Sequence, residues 1–336
     1  MTTPANPLAD LLATKGILLA DGATGTNLFA MGLEAGEAPE LWLESAPDKI
    51  TKLHQDFVDA GADIILTNSF GGTRNRLKLH QADDRVHGLN KRAAEIARAV
   101  ADKAGRTVIV AGSVGPTGDL LVPLGALTYE GAVASFVEQI EGLKAGGADV
   151  IWIETMSAVD EIRAAAEAAV RCDMPYTYTG SFDTAGKTMM GVHPRDIHRM
   201  AGDVGAGPLA VGANCGVGAS DILSSLLDMT AADPDAVVIV KGNCGIPEFR
   251  GAVIHYSGTP PLMADYARLA IDAGARIIGG CCGTSCEHLA AMRQAIDGHV
   301  KAARPTVEMI VERIGPLRNT VATDNPAPTR ERRRRG

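Results

Sequence analysis

A short apolar run recurs eight times along this 336-residue chain, each closing on glycine or a polar residue and leading into a helical pattern. The runs occupy residues 17–20, 64–66, 108–111, 150–153, 176–179, 209–212, 237–240 and 277–278. Most stand about 25–45 residues apart, the interval that one strand and one helix fill. Four share a lead-in: DAGADIIL (59–66), KAGRTVIV (103–110), KAGGADVIWI (144–153) and DAGARIIGG (272–280). In each, a glycine suits the left-handed end of a helix and the apolar run begins within a few residues. Between runs lie amphipathic faces: Ile50, Leu53 and Phe57; Val133, Phe136, Val137 and Ile140; and Ile222, Leu223, Leu226 and Leu227, with Ser220 read as an N-cap.

Eight such units predict an α/β fold, a single-domain (β/α)8 TIM barrel over residues 11–302, preferred to an open doubly wound sheet. Residues 1–10 read as an N-terminal extension. Residues 303–336, rich in Pro, Thr, Asn and Arg, read as a disordered tail. An apolar content of 46% with 21% charged residues supports a sizeable core, and 4% aromatic residues with 38 glycines suit many βα turns.

Charge narrows the partners. The chain carries −8 overall. Six arginines against Asp324 and Glu331 give residues 317–336 a net +4, leaving −12 on residues 1–316. An acidic body disfavours nucleic acid, and the basic end reads as solvated. No stretch approaches about 20 apolar residues, and the N-terminus MTTPANPLADLLATKG lacks a basic segment followed by an apolar one, so neither membrane insertion nor secretion is expected and the chain reads as cytoplasmic. Its six cysteines are then reduced thiols, not a disulfide framework.

Barrel enzymes build their sites where the C-terminal ends of strands meet the loops. The residues there are Asp21, Thr67, Asn68, Ser113, Glu154, Thr155, Ser181, Asn214, Cys215, Asn243, Cys244, Cys281 and Cys282. Gly279-Gly280-Cys281-Cys282-Gly283 is the most specific signal. Neighbouring side chains on a regular strand diverge, so two thiols can share a target only where the strand ends. A soft cation such as zinc would use them, with three protein ligands and one open position. Cys215 and Cys244 are both candidates for the third ligand; Cys172 sits toward the opposite face and Cys286 at the start of the last helix. Two other readings of the motif are a tight βα turn with inert thiols and a phosphate cradle of the kind barrels carry near their last strands. Glu154 follows a wholly apolar run and suits a ligand ammonium. Asp21 opens GATGT, whose backbone N–H groups suit a carboxylate.

Taken together, DGATGTNL (21–28), LTNSFGG (66–72), GSVGPTG (112–118), IETM (153–156), GANCG (212–216) and GGCCGT (279–284) resemble the homocysteine S-methyltransferase family, most of all its bacterial betaine–homocysteine branch. The resemblance covers roughly residues 10–300. It implies a zinc-dependent enzyme that methylates homocysteine to methionine, with zinc on Cys215, Cys281 and Cys282, and Cys244 outside the ligand set. It implies that Asp21, Gly22 and Glu154 orient the amino-acid end of homocysteine, with Thr67, Asn68, Ser113 and Asn214 nearby.

The resemblance also bears on the methyl donor. Betaine, a quaternary ammonium, calls for aromatic walls, and Trp42 and Phe70 match two such positions of the family. Two tyrosines of that pattern are replaced by Gly71 and Thr155. The phrase LTNSFGGT is closer to the homocysteine domain of cobalamin-dependent methionine synthase, whose donor would here be a corrinoid on a partner protein. Betaine is the expected donor, the corrinoid protein the alternative, and a sulfonium such as S-methylmethionine the third. Outside the family, a phosphate-ligand barrel using Lys241 as a Schiff-base lysine remains the competing reading.

Overall fold

A computed structural model describes residues 6–245, 247–250 and 253–319. Eight parallel strands form one sheet: β1 (Leu18–Leu19), β2 (Ile64–Leu66), β3 (Ile109–Val114), β4 (Val150–Met156), β5 (Tyr176–Gly180), β6 (Val211–Cys215), β7 (Val238–Gly242) and, after a hairpin of β8 (Pro247–Arg250) and β9 (Val253–Tyr256), β10 (Ala275–Gly280). The sheet runs β1-β10-β7-β6-β5-β4-β3-β2, and a parallel bridge from Ala20 to Ile64 joins its two edges. The result is the closed (β/α)8 barrel. The eight runs each hold a strand, and several strands extend two or three residues further toward the mouth.

The helices follow the amphipathic faces. Pro47–Asp59 buries Ile50, Leu53 and Phe57, and Tyr129–Ala145 buries Val133, Phe136 and Ile140. The glycines of the repeated lead-in, Gly61, Gly105, Gly147 and Gly274, all take positive φ. Ser220 is not an N-cap: the helix Ala219–Ala232 starts earlier, on Gly218, and the Ser220 hydroxyl donates instead to the Gly315 carbonyl at 2.8 Å.

Alternation along the strands builds the interior in layers. Leu18, Ile64, Ile109, Val150, Trp152, Ile239 and Ile277 pack together inside the barrel. Two residues beyond Ala111, Trp152, Ile239 and Ile277 on the same faces come Ser113, Glu154, Lys241 and Gly279, so the apolar interior gives way to a polar layer at the mouth. The far end is plugged. Helix Pro7–Lys15, capped by Asn6, crosses the expected boundary at residue 10 and puts Leu8 and Leu12 into the interior cluster.

The expected tail is folded over its first part. Helix Val307–Arg313 buries Ile310, and the backbone N–H groups of Arg318 and Asn319 donate to Asp221 at 3.1 and 2.8 Å. Here Ile310 and Ile314 supply apolar anchors against the barrel that the polar composition masks. Residues 320–336, with most of the arginines, lie outside the described residues. No helix among the described residues is long and apolar enough to cross a membrane.

Candidate metal and substrate site

Three cysteines from two loops meet at the mouth. The Sγ atoms of Cys215, Cys281 and Cys282 lie within 4.8 Å of one another, and all three residues are partly exposed. Three thiolates about 2.3 Å from one tetrahedral zinc would stand about 3.8 Å apart, so the cluster has the size and donor chemistry for that ion. Cys244 does not join it. Its side chain is fully buried in the layer between strands and helices, while its backbone N–H donates to the Cys282 carbonyl at 2.8 Å.

Backbone geometry brings the sulfurs together. At the end of β6, Cys215 takes a left-handed φ of 62°, followed by Gly216 at 71°. A non-glycine residue rarely adopts this conformation, and it turns the thiol out of the strand's alternation. The last strand ends at Gly280; Cys281 still donates its N–H to the Gly242 carbonyl at 2.8 Å, whereas Cys282 donates to the Asn243 side chain at 3.0 Å. Backbone pairing with β7 thus stops between the two cysteines. Gly283 then takes φ 82°, and a Cβ there would lie 2.3 Å from Cγ of Tyr256.

Sequence reasoning puts Asn243 at a strand end without giving it a role, and it misses Tyr256. Asn243 also donates to the Gly216 carbonyl at 2.7 Å, so one side chain ties the Cys215 loop to the Cys281–Cys282 loop. Tyr256, brought in by the hairpin, stands with its phenol beside Cys282. Hydrogen bonding from Cys215, then Cys281, pulls Cys282 down to about 3, against burial. The same contacts, with Cys281 first, hold Cys215 as a thiol.

Glu154 stands on the inward face of β4. Its Oε1 accepts the Ser113 hydroxyl at 2.5 Å, and its Oε2 accepts no hydrogen bond among the described residues. Burial raises its carboxyl to about 7, against the opposing pull of Lys241 and Ser113. Asp21 is placed otherwise. Its Oδ1 pairs with Lys241 Nζ at 2.7 Å and its Oδ2 accepts the Leu66 N–H at 2.7 Å, so both oxygens are engaged. Both side chains are almost wholly buried.

The other expected contacts bond mainly to the protein. Asn214 accepts from Thr155 N and the Thr179 hydroxyl at 2.8 and 2.6 Å, donates to the Thr155 hydroxyl at 2.7 Å, and reaches Cys281 Sγ only at 3.9 Å. Thr67 Oγ1 accepts Ser113 N at 2.9 Å, and Asn68 donates to the Pro39 carbonyl at 2.8 Å. Gly22 lies tight against Thr284, whose carbonyl would be 2.6 Å from a Cβ there. These residues shape the ring around the sulfurs.

A family model described as homocysteine S-methyltransferase matches residues 18–296. The chain belongs to the homocysteine S-methyltransferase family. The strand-end motifs, from residue 21 to residue 284, all lie within the matched stretch. Its resemblance to methionine synthase of Mycobacterium tuberculosis is 30% identity over 315 residues, covering 86% of this chain and 25% of that protein. Methionine synthase of Mycobacterium leprae is 29% identical over 323 residues, covering 87% of this chain and 26% of that protein. The chain thus spans about a quarter of the length of these relatives. The metallated homocysteine methyltransferase MmuM of Escherichia coli superposes with a TM-score of 0.72 at 27% identity, covering 86% of this chain and 99% of MmuM. Its oxidized form gives 0.73 over the same shares.

Two aromatic positions of the family pattern are occupied unequally. Trp42 is buried in the helix layer with the Lys49 ammonium 4.2 Å from its ring centroid, so that face already carries a cation. Phe70 is 37% exposed in the loop after β2 and packs against Gly115. Of the pair, Phe70 is the more exposed ring. Lys241, weighed as a Schiff-base lysine, is locked on Asp21; burial disfavours its charge, but the Asp21 and Glu154 carboxylates outweigh that and favour the protonated form. A lysine needs to be neutral to attack a carbonyl, and the phosphate-barrel reading loses its nucleophile.

Proposed function

We propose that this protein is a zinc-dependent homocysteine S-methyltransferase that makes methionine, with betaine as methyl donor. The observation that carries the reading is the meeting of three cysteine sulfurs within 4.8 Å at the barrel mouth. Cys215, Cys281 and Cys282 would hold zinc, and Glu154 would receive the ammonium of homocysteine on its free Oε2. Bound zinc would supply a fourth coordination position at which the homocysteine sulfur is held as thiolate at neutral pH, where a free thiol of pKa about 8.5 is mostly protonated.

The chain's own residues then orient that sulfur. Glu154 fixes the amino-acid end, Asn243 keeps the two cysteine loops in register, and Phe70 lies exposed for the donor's methylated cation. Transfer breaks the donor's N–CH3 bond and forms S–CH3, leaving dimethylglycine and a neutral thioether. Alignment of sulfur and methyl group contributes up to the roughly 7–11 kcal/mol available to well-oriented reactants.

A second donor reading has its own support. The curated relatives carry the name methionine synthase and are about four times longer than the aligned stretch, in keeping with a methyl group brought by a corrinoid on a separate protein. A donor panel separates the readings: zinc-loaded enzyme and homocysteine with betaine, S-methylmethionine, dimethylsulfoniopropionate or methylcobalamin, following methionine. Turnover with betaine supports the proposal; turnover with methylcobalamin alone moves the function to the second reading; no methionine from any donor overturns both.

A further inference from the structure

We propose that Lys241 is a positioning residue of the homocysteine site: its buried ammonium locks Asp21 and so reserves Glu154 as the carboxylate that receives the substrate's ammonium. The inference rests on the homocysteine reading above and names a residue that the family motifs leave without a role.

The geometry begins with space. Lys241 faces inward on β7, in register with Asn214 of β6 and Gly279 of β10. A Cβ at Gly279 would stand 3.0 Å from both Lys241 Cγ and Ala20 Cβ. The lysine stem therefore threads a slot that a side chain at 279 would fill. Its ammonium ends 2.7 Å from Asp21 Oδ1 and 6.0 Å from the Trp152 ring centroid, with side-chain exposures of 3% for Lys241 and 1% for Asp21.

Charge does the rest. The ionisable groups acting on Glu154 are Lys241, Cys281 and Asp21, and those acting on Lys241 are Asp21, Glu154 and Cys281. Cys281 belongs to the cysteine cluster; among the other three, two carboxylates and one ammonium leave a single uncompensated negative charge once Glu154 is ionised, which suits one incoming cation. Asp21 has both oxygens engaged; Glu154 has one oxygen open. The homocysteine ammonium therefore goes to Glu154. Without Lys241 two buried carboxylates would face each other unpaired. One would take up a proton, and the remaining charge would be shared between two places.

The test is equilibrium binding of L-homocysteine to the zinc-loaded full-length protein by calorimetry, across pH, for wild type, Lys241→Met, Lys241→Arg, Asp21→Asn and the double variant Asp21→Asn/Lys241→Met. Lys241→Met should weaken binding about tenfold or more at neutral pH and move the pH at which binding is half-maximal upward, since the carboxylates lose their cation. Lys241→Arg should recover much of the loss. Asp21→Asn leaves Lys241 to compete for Glu154 and should bind as weakly. The double variant restores one net negative charge, on Glu154, and should bind within a few-fold of wild type, even where Lys241→Met alone folds too poorly to measure. Zinc content should stay constant throughout. Unchanged affinity and pH midpoint in Lys241→Met, or a double variant no better than Asp21→Asn, would overturn the proposal. Failure of the wild type to bind homocysteine would instead overturn the functional reading beneath it.

Discussion

The side-chain oxygen of Asn243 accepts the backbone N–H of Cys282 at 3.0 Å while its amide nitrogen holds Gly216, next to Cys215, at 2.7 Å. One side chain therefore sets the spacing between two loops that must present three sulfurs to one ion. Groups that orient metal ligands from behind typically change metal affinity about 10–100-fold when removed. Asn243→Ala should weaken zinc binding by that factor while the barrel still folds. Competition with a chromogenic chelator measures it, and unchanged affinity would show that the loops hold themselves.

Glu154 should act on substrate and not on metal. Glu154→Gln keeps the shape and the Ser113 contact but removes the charge, so zinc content should be that of the wild type while the KM for homocysteine rises at least about tenfold. Zinc lost together with affinity would mean that Glu154 belongs to the metal site.

The pH dependence follows from the same carboxyl. Burial raises Glu154 to about 7, so it is neutral below that pH and charged above it. The homocysteine ammonium stays protonated throughout this range. Binding should therefore strengthen as pH rises from about 6 to 8 more steeply than loss of the thiol proton on zinc alone requires, and Glu154→Gln should remove that extra steepness. A wild-type affinity flat across this window would contradict the assignment.

Cys244 tests the ligand set from outside. Its side chain is buried in the strand–helix layer, away from the other three. Cys244→Ala should retain zinc and cost about 1–2 kcal/mol of stability from the lost packing, read by denaturant unfolding. Cys281→Ala and Cys282→Ala should each lose the metal and the activity. Zinc lost from Cys244→Ala would redraw the site.

Gly283→Ala probes the turn that presents the cysteine pair. Its φ of 82° and the nearby Tyr256 ring leave no room for a Cβ. The substitution should destabilise by more than about 1 kcal/mol and weaken zinc binding by displacing Tyr256 from Cys282. A variant with unchanged melting temperature and zinc affinity would show that the turn can shift freely.

The barrel was legible because period-two and helical patterns are local, and eight repeats reinforce one another. The ligand trio was legible because Cys281 and Cys282 are adjacent and the family motif supplies Cys215; composition alone left Cys244 equally eligible. Only the backbone turn at Cys215 separates those two, and nothing in the residue type announces it. Lys241 was visible as a lysine but not as a partner of Asp21, 220 residues away. Tyr256 was missed because the hairpin that carries it departs from the strand–helix repeat. The segment 303–319 was read from its polar composition, which hid the two isoleucines that dock it.

The account's central claim is that three sulfurs hold one zinc with a place left for the substrate's sulfur. Zinc K-edge X-ray absorption on the loaded protein, before and after homocysteine, tests this most directly. The account predicts close to one zinc per chain, with three sulfur neighbours at about 2.3 Å rising to four when homocysteine is added. A first shell already holding four protein sulfurs, or one that homocysteine leaves unchanged, would contradict it.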